Sequence, residues 1–275
     1  MDNWMWTGNK DGLLGGFLRV VLAAVLMTML TAPANAGSRE QAKRIHERIA
    51  GVPPGDTVLG QMQGAIDGTE PSCSLYGSVT GPQCAAYIAM EDHSFYNVTL
   101  KNFAAPWTNR DRSVFVPLND YIATVIGMIR EDRPFNTLLS DDITYVGAPG
   151  TVSAQPSASN NDHYEQLEAG NHNLKDVLQW DMQSNIPGSV PGPATAGVLT
   201  SRAAAQAFFI AGTNRAMFRF TMVNHFCNDM EQLHDPNLSP DRIRQDVSRS
   251  PGGDSRLFLN NCVGCHTGMD PMAQA

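Results

Sequence analysis

"GGDSRLFLNNCVGCHTGMDPM", Gly252 to Met272, is the stretch whose reading decides the rest of the chain. Within it Cys262, Cys265 and His266 place two thiols and an imidazole on one turn of backbone. That spacing suits one task above others. Two sulfurs can add across the vinyl groups of a haem, and the histidine that follows is positioned to reach the iron. A zinc site would need further Cys or His ligands at matching spacing, and no second pair accompanies this one. A thioredoxin-type redox pair would need a strand before it and a helix after it, whereas the flanking pattern is helical. The stretch therefore predicts haem c held by Cys262 and Cys265, with His266 as proximal iron ligand.

Working upstream, Phe258 stands four positions before Cys262, behind a Gly-Gly pair. This arrangement resembles the first helix of class I c-type cytochromes. The resemblance widens with "GVLTSRAAAQAFFIAGTNRAMFRFTMVNHFC" (Gly197 to Cys227) and "CVGCHTGMDP" (Cys262 to Pro271). Together these resemble the domain of unknown function that carries a Cys-x-x-Cys-His-x-x-Met-Asp-Pro haem motif in the planctomycete-type cytochrome proteins. "LNDYIATVIGMIREDRPFNTLLSDDITYVG" (Leu118 to Gly147) is similar, more faintly, to the helical domain that precedes it there. The resemblance implies one-electron transfer through a single covalent haem, with redox proteins as partners. Relatives continue well past the Met-Asp-Pro, and only nine residues follow His266 here, so the chain is expected to be a C-terminally truncated fragment.

On the other side of the iron, Met269 and Met272 are poor candidates, because a residue three or six places along remains on the proximal side. Met269 is expected to pack beside the haem or to close the turn. Met222, His225, Met230 and His234 are the upstream candidates; a distal ligand outside this sequence, or none, is the alternative. Haem propionates call for cations. Arg242, Arg244, Arg249 and Arg256 crowd the approach to the motif, each equally able to pair with Asp241, Asp246 or Asp254, and Arg215 and Arg219 invite an ion pair.

The N-terminus predicts export. Lys10 and Arg19 precede the apolar run Val20 to Leu30, and Ala34-Asn35-Ala36 supplies a small-residue cleavage site, so residues 1–36 read as a signal peptide. The run is shorter than the roughly 20 residues that span a bilayer, and no stable membrane span is expected after cleavage. The expected location is periplasmic or otherwise exported. In such a compartment disulfides persist, and Cys73 and Cys84 bracket a Gly- and Pro-bearing loop that can return on itself, which makes them the disulfide candidate. Cys227, in an apolar helical pattern, is expected to be a small buried hydrophobe.

Composition sets the class. Hydrophobic residues make up 42% and charged residues 17%, and the formal net charge is −8. The acidity excludes a nucleic-acid partner, which would need a basic surface. With 24 glycines and 17 prolines, long irregular connections are expected. The fold class is mainly α: short helices joined by long Gly/Pro-rich loops, with the class I cytochrome c-like helix leading into the haem motif.

Residues 37–146 are expected to form an N-terminal helical region, 147–199 a loop-rich connection, and 200–275 a helical haem c-binding region. Helices are expected from Ser38, which could cap the first, after Asp56, and over "PLNDYIATVIGMIREDRPFNTLL" with Pro117 in its first turn. Phe103 and Trp107 are expected in the core. "TNRAMFRFTMVNHFCNDMEQL" is expected to run about five turns from a Thr213 cap, and Ser239-Pro240 to start another helix. Ile143 to Gly147 is the one plausible strand. "YEQLEAGNHNLKDVLQW" is expected to make one or two helical turns. Asp92-His93, Asp141-Asp142 and the Asn97-Val98-Thr99 glycosylation pattern are of the kind that chance produces. Two other functions fit the same sequence: a haem enzyme of peroxidase or dehydrogenase type with an open or electron-exit haem, and a non-catalytic binding or surface-assembly protein.

Overall fold

The computed structural model describes residues 37–209 and 215–272. The expected signal peptide, residues 1–36, and the expected Thr213 cap lie outside them. The fold is mainly helical, and its apolar side chains gather into three clusters of very different size.

The first cluster joins α1 (Ser38–Ile49), α2 (Asp56–Asp67) and α3 (Gly81–Met90). Ala42, Met62, Cys84 and Ala89, fully buried, mark its centre. The cap of α1 differs from expectation. Gly37 occupies the cap position, and Ser38 sits inside the helix with Oγ donating to Asp67 at the far end of α2, 3.2 Å away. Cys73 and Cys84 are joined in a disulfide that ties the loop before α3 to the helix itself. Fully buried His46 is fixed through Nδ1 to the Val52 carbonyl, 2.8 Å away.

The second cluster is the main core. An irregular helical run follows α3, with one π turn at Phe95–Leu100, and leads to α4 (Asp120–Arg130). Pro117 lies ahead of α4, and Asn119 caps it by accepting the Ile122 N–H. Every residue from Tyr121 to Met128 is buried, because α4 is enclosed on all sides. It ends where Asp132 adopts a left-handed conformation (φ 50°) before Pro134. Trp107 is half-buried against this core, but Phe103, also expected inside, is 50% exposed and only its edge meets Trp107.

The expected strand forms as β1 (Thr144–Gly147). After α5 (Asp162–Ala169), its antiparallel partner is β2 (Leu178–Asp181), in the stretch expected to be helical. A single helical turn, Leu174–Val177, does precede it. Residues 147–199 are consequently more than a connection. Tyr164, Leu167, Leu174 and Val198 are buried in the main core, and the Tyr164 hydroxyl donates to the Tyr145 carbonyl. Short polar and Gly/Pro-rich pieces separate these buried positions, and that spacing hides them from a periodicity reading.

Ser201 caps α6 (Arg202–Phe208) by accepting the Ala204 N–H. Partly buried Asp120, the first residue of α4, accepts the N–H groups of Arg202 and Ala203, so one helix start holds another. Next comes α7 (Arg215–His225), about three turns rather than five. Cys227 stops it: with φ 55° it takes the left-handed position after the helix, and the Asn228 N–H closes back on the Met222 carbonyl. Cys227 is therefore exposed at a helix end, not buried in a longer helix. The Ser239-Pro240 start yields only the turn Pro240–Arg242, after which buried Ile243 extends the chain.

Asp254 caps the last helical run by accepting the Arg256 N–H. A turn at Ser255–Leu257 and a π turn at Phe258–Cys262 pass directly into α8 (Val263–Met272). Its apolar footing among the described residues is the third cluster, Ile243, Phe258 and Val263 with Val247 and Cys262 against them. No helix among the described residues is long and apolar enough to cross a membrane.

Candidate functional site

The helical path through Cys262 sets the site. Cys262, Cys265, His266 and Met269 recur at i, i+3, i+4 and i+7, which brings them to one face. Both motif cysteines are free thiols and partly exposed, in contrast to the bonded Cys73 and Cys84. Cys262 lies inside a continuous helical run, without the helix N-terminus that stabilises the thiolate of a redox Cys-x-x-Cys. Burial pushes the Cys265 thiol up, and Cys262, Glu231 and Asp229 add negative surroundings. Its sulfur is 3.8 Å from the Met230 carbonyl. Cys265 is thus held as a thiol and not as an activated nucleophile.

His266 has a partner that sequence reasoning did not single out. Its Nδ1 lies 3.0 Å from Oδ1 of Asp270, one turn further along α8. Asp270 is completely buried, and it also accepts from Arg215 Nε at 3.2 Å and from the Arg244 N–H at 2.9 Å. Burial pushes the Asp270 carboxyl up, but the hydrogen bonds from Arg244, His266 and Arg215 outweigh it and hold the group below the usual carboxylate range. The i, i+4 spacing from His266 is the signal that could have found it. Arg215 bridges onward to Asp246, 3.0 Å away, so α7 is tied through Asp270 to α8.

The upstream ligand candidates separate. The contacts of His225 point away from the motif: Nε2 meets the Tyr121 hydroxyl and the ring lies edge-on to Trp107. Burial drives His225 down to about 4, so it is a neutral part of the joint between α7 and the main core. His234 does reach the motif helix, but its ring covers Gly264, where an added Cβ would be 2.2 Å from Nε2. Gly264 falls on the far side of the helix from His266. Asp235 holds that segment down, its N–H on the Gly264 carbonyl and its carbonyl accepting from Thr267. Met230 comes beside Cys265 through its backbone, and Met222 shares α7 with His225. Met269 is buried on the His266 face.

Most of the arginines have partners. Arg244 pairs with Asp246, Arg256 with Asp254 and Arg219 with Asp229. Arg249 donates to the carbonyls of Ile243 and Val247, and its guanidinium covers the Phe258 ring at 5.0 Å. Phe258 is buried, while Leu259 beside it is 58% exposed. The remaining pairs from the sequence serve structure. Asp142 accepts from Ser184, Asp92 from the Ser94 N–H, and Asn97 is pinned to the His172 carbonyl and the Leu174 N–H.

A cavity of about 990 Å³ lies elsewhere, on the main core between Thr108, Asn161, Glu165 and Arg202. It contains no motif residue, and the Arg202 guanidinium beside it is already engaged by Asn161 and Gln206. A smaller cleft of about 410 Å³ runs along Phe258 and Leu259, beneath Arg249. Among the described residues, no three His, Cys, Asp or Glu side chains converge to hold a bare metal ion. No protein-family model, no curated protein and no solved structure matches this chain.

Proposed function

We propose that this chain is an exported c-type cytochrome that carries one covalently attached haem and transfers single electrons between redox partner proteins. Cys262 and Cys265 would form the two thioethers and His266 would ligate the iron. The resemblance to class I cytochromes and to the planctomycete-type cytochrome proteins belongs to this proposal.

One observation carries it: two free thiols and an imidazole share a helix face, and the Nδ1 of that imidazole is occupied by a buried carboxylate. The donor set fits haem c better than its rivals. Thioether formation consumes thiols without requiring a stabilised thiolate. A ligating histidine typically gives its other ring nitrogen to a second group, as His266 does to Asp270. When bound, haem c supplies a one-electron couple. The chain itself would tether it at two points, hold the imidazole still through Asp270, and offer Leu259 and Met269 as apolar neighbours on the same side. The Cys73–Cys84 disulfide and the leader expected from the sequence of residues 1–36 support an oxidising, exported setting.

The test is the absorption spectrum of the full chain, exported alongside c-type maturation machinery and then denatured. Reduced c-type bands that remain with the polypeptide are the expected result. Colourless protein from cells that load a control cytochrome overturns the proposal.

A further inference from the structure

We infer that Asp270 is a positioning residue for His266: it fixes the ring with the proton on Nδ1, keeps Nε2 bare as the ligand atom, and lowers the reduction potential of the site. The inference rests on the haem reading above and extends it to a residue one turn beyond the motif.

The geometry assigns the proton. Asp270 is fully buried and surrounded by donors: Arg215 Nε at 3.2 Å on Oδ1 and the Arg244 N–H at 2.9 Å on Oδ2. An arginine and a backbone amide can only donate, so the carboxyl is held as an acceptor. His266 Nδ1, 3.0 Å from Oδ1, must then carry a proton, so in the neutral imidazole it is Nε2 that offers its lone pair. The i, i+4 placement on one helix lets α8 set the ring and its partner together.

The electronic consequence follows from the same contact. A carboxylate that accepts from a ligating imidazole makes it a stronger base, which favours the oxidised, more positive iron. Arg215 works against this. Its guanidinium competes for Oδ1 and is itself anchored by Asp246, so it limits how much negative charge reaches His266. Asp270 and Arg215 should accordingly shift the potential in opposite directions.

A purely structural role, clamping α8 to Arg215 and to the backbone of Arg244, would alter stability alone. The experiment compares wild type, Asp270→Asn, Asp270→Glu and Arg215→Gln as full-length, haem-loaded protein. Midpoint potentials are read by redox titration, and the His266 ring is followed by ¹⁵N-edited NMR in the reduced state.

Asp270→Asn is expected to favour reduced iron by about tenfold, near 59 mV for one electron, and to move the Nδ1–H resonance. Asp270→Glu is expected to restore part of the shift. Arg215→Gln, which leaves the motif and Asp270 in place, is expected to lower the potential, and it serves if Asp270→Asn does not load haem. Haem-bearing variants with unchanged potentials overturn this inference and leave the cytochrome reading standing. Wild type without covalent haem overturns both.

Discussion

The Tyr121 hydroxyl stands 2.7 Å from Nε2 of His225, and the two rings lie nearly parallel. Tyr121 is the second residue of α4, buried at the centre of the main core, and His225 is the last of α7. Through this contact the helix that holds Asp270 by way of Arg215 is joined to the rest of the molecule. The direction of the bond is fixed: burial pushes the Tyr121 hydroxyl up, so it donates, and His225 accepts as neutral imidazole.

Stability should fall with pH below neutrality on this account. His225 is held down to about 4 from an ordinary 6.5. Between those values the unfolded chain takes up a proton that the folded chain refuses. Its contribution is thus complete above 6.5 and is lost as pH drops toward 4. At pH 5 the loss should be about 1–2 kcal/mol, partial exposure of the ring included. Urea unfolding of wild type and His225→Gln at pH 7.5 and 5.0 measures it. The glutamine keeps a partner for Tyr121 but does not titrate, so the variant should lose this part of the pH dependence and the difference between the two proteins should change between pH 7.5 and 5.0. Equal pH dependence in both proteins would show that His225 does not titrate with folding.

The Cys73–Cys84 bond closes a loop of eleven residues' separation onto α3, where Cys84 is fully buried. Replacing both by alanine should cost about 2–3 kcal/mol. Because α1, α2 and α3 have a cluster of their own, the loss should concentrate there. Hydrogen exchange should accelerate across Ser38 to Met90 well before it does in α4. A uniform change across the chain would mean that the two cores unfold as one.

What was legible in the sequence divides along physical lines. The α4 stretch and β1 could be read because their apolar positions are dense and regular. The partner strand β2 could not: Leu178 and Trp180 share one side of a four-residue strand, yet one is buried and the other 45% exposed, and helical residues lead straight into it. Phe226 and Cys227 extended the apolar pattern of α7, yet a left-handed residue at Cys227 ended the helix, a backbone event that side-chain periodicity does not register. At the candidate site, Cys262, Cys265 and His266 were singled out by spacing alone. Asp270 was hidden in the Met-Asp-Pro turn, because its burial and its two other donors come from segments 26 and 55 residues away.

Gly127 tests the interior of the main core. An added Cβ would lie 2.1 Å from the Tyr145 ring, which is fully buried and held by its hydroxyl on Glu131. Alanine favours a helix interior over glycine by about 1 kcal/mol. Overpacking a pinned ring costs about 1–3 kcal/mol. The clash should win because neither ring nor helix can retreat, so Gly127→Ala should lower the urea midpoint. A raised midpoint would mean that Tyr145 can move aside and that helix propensity governs the position.

Phe258 tests how the motif helix is supported. It is 4% exposed, packs with Ile243 and Val263, and has the Arg249 guanidinium 5.0 Å above its ring. Truncating a buried phenylalanine costs about 3–5 kcal/mol in a full core. Here the cluster is small and separate, so the cost should fall on local order and leave the main core intact. Phe258→Ala should abolish amide protection from Val263 to His266 while α4 exchanges as in wild type. Phe258→Leu, which refills most of the space, should retain much of that protection. If both variants melt α4 and α8 together, the joint through Arg215 and His225 is strong enough to make the two cores one cooperative unit. If neither affects α8, the hydrogen bonds of Asp270 and Asp235 hold the motif without its apolar footing.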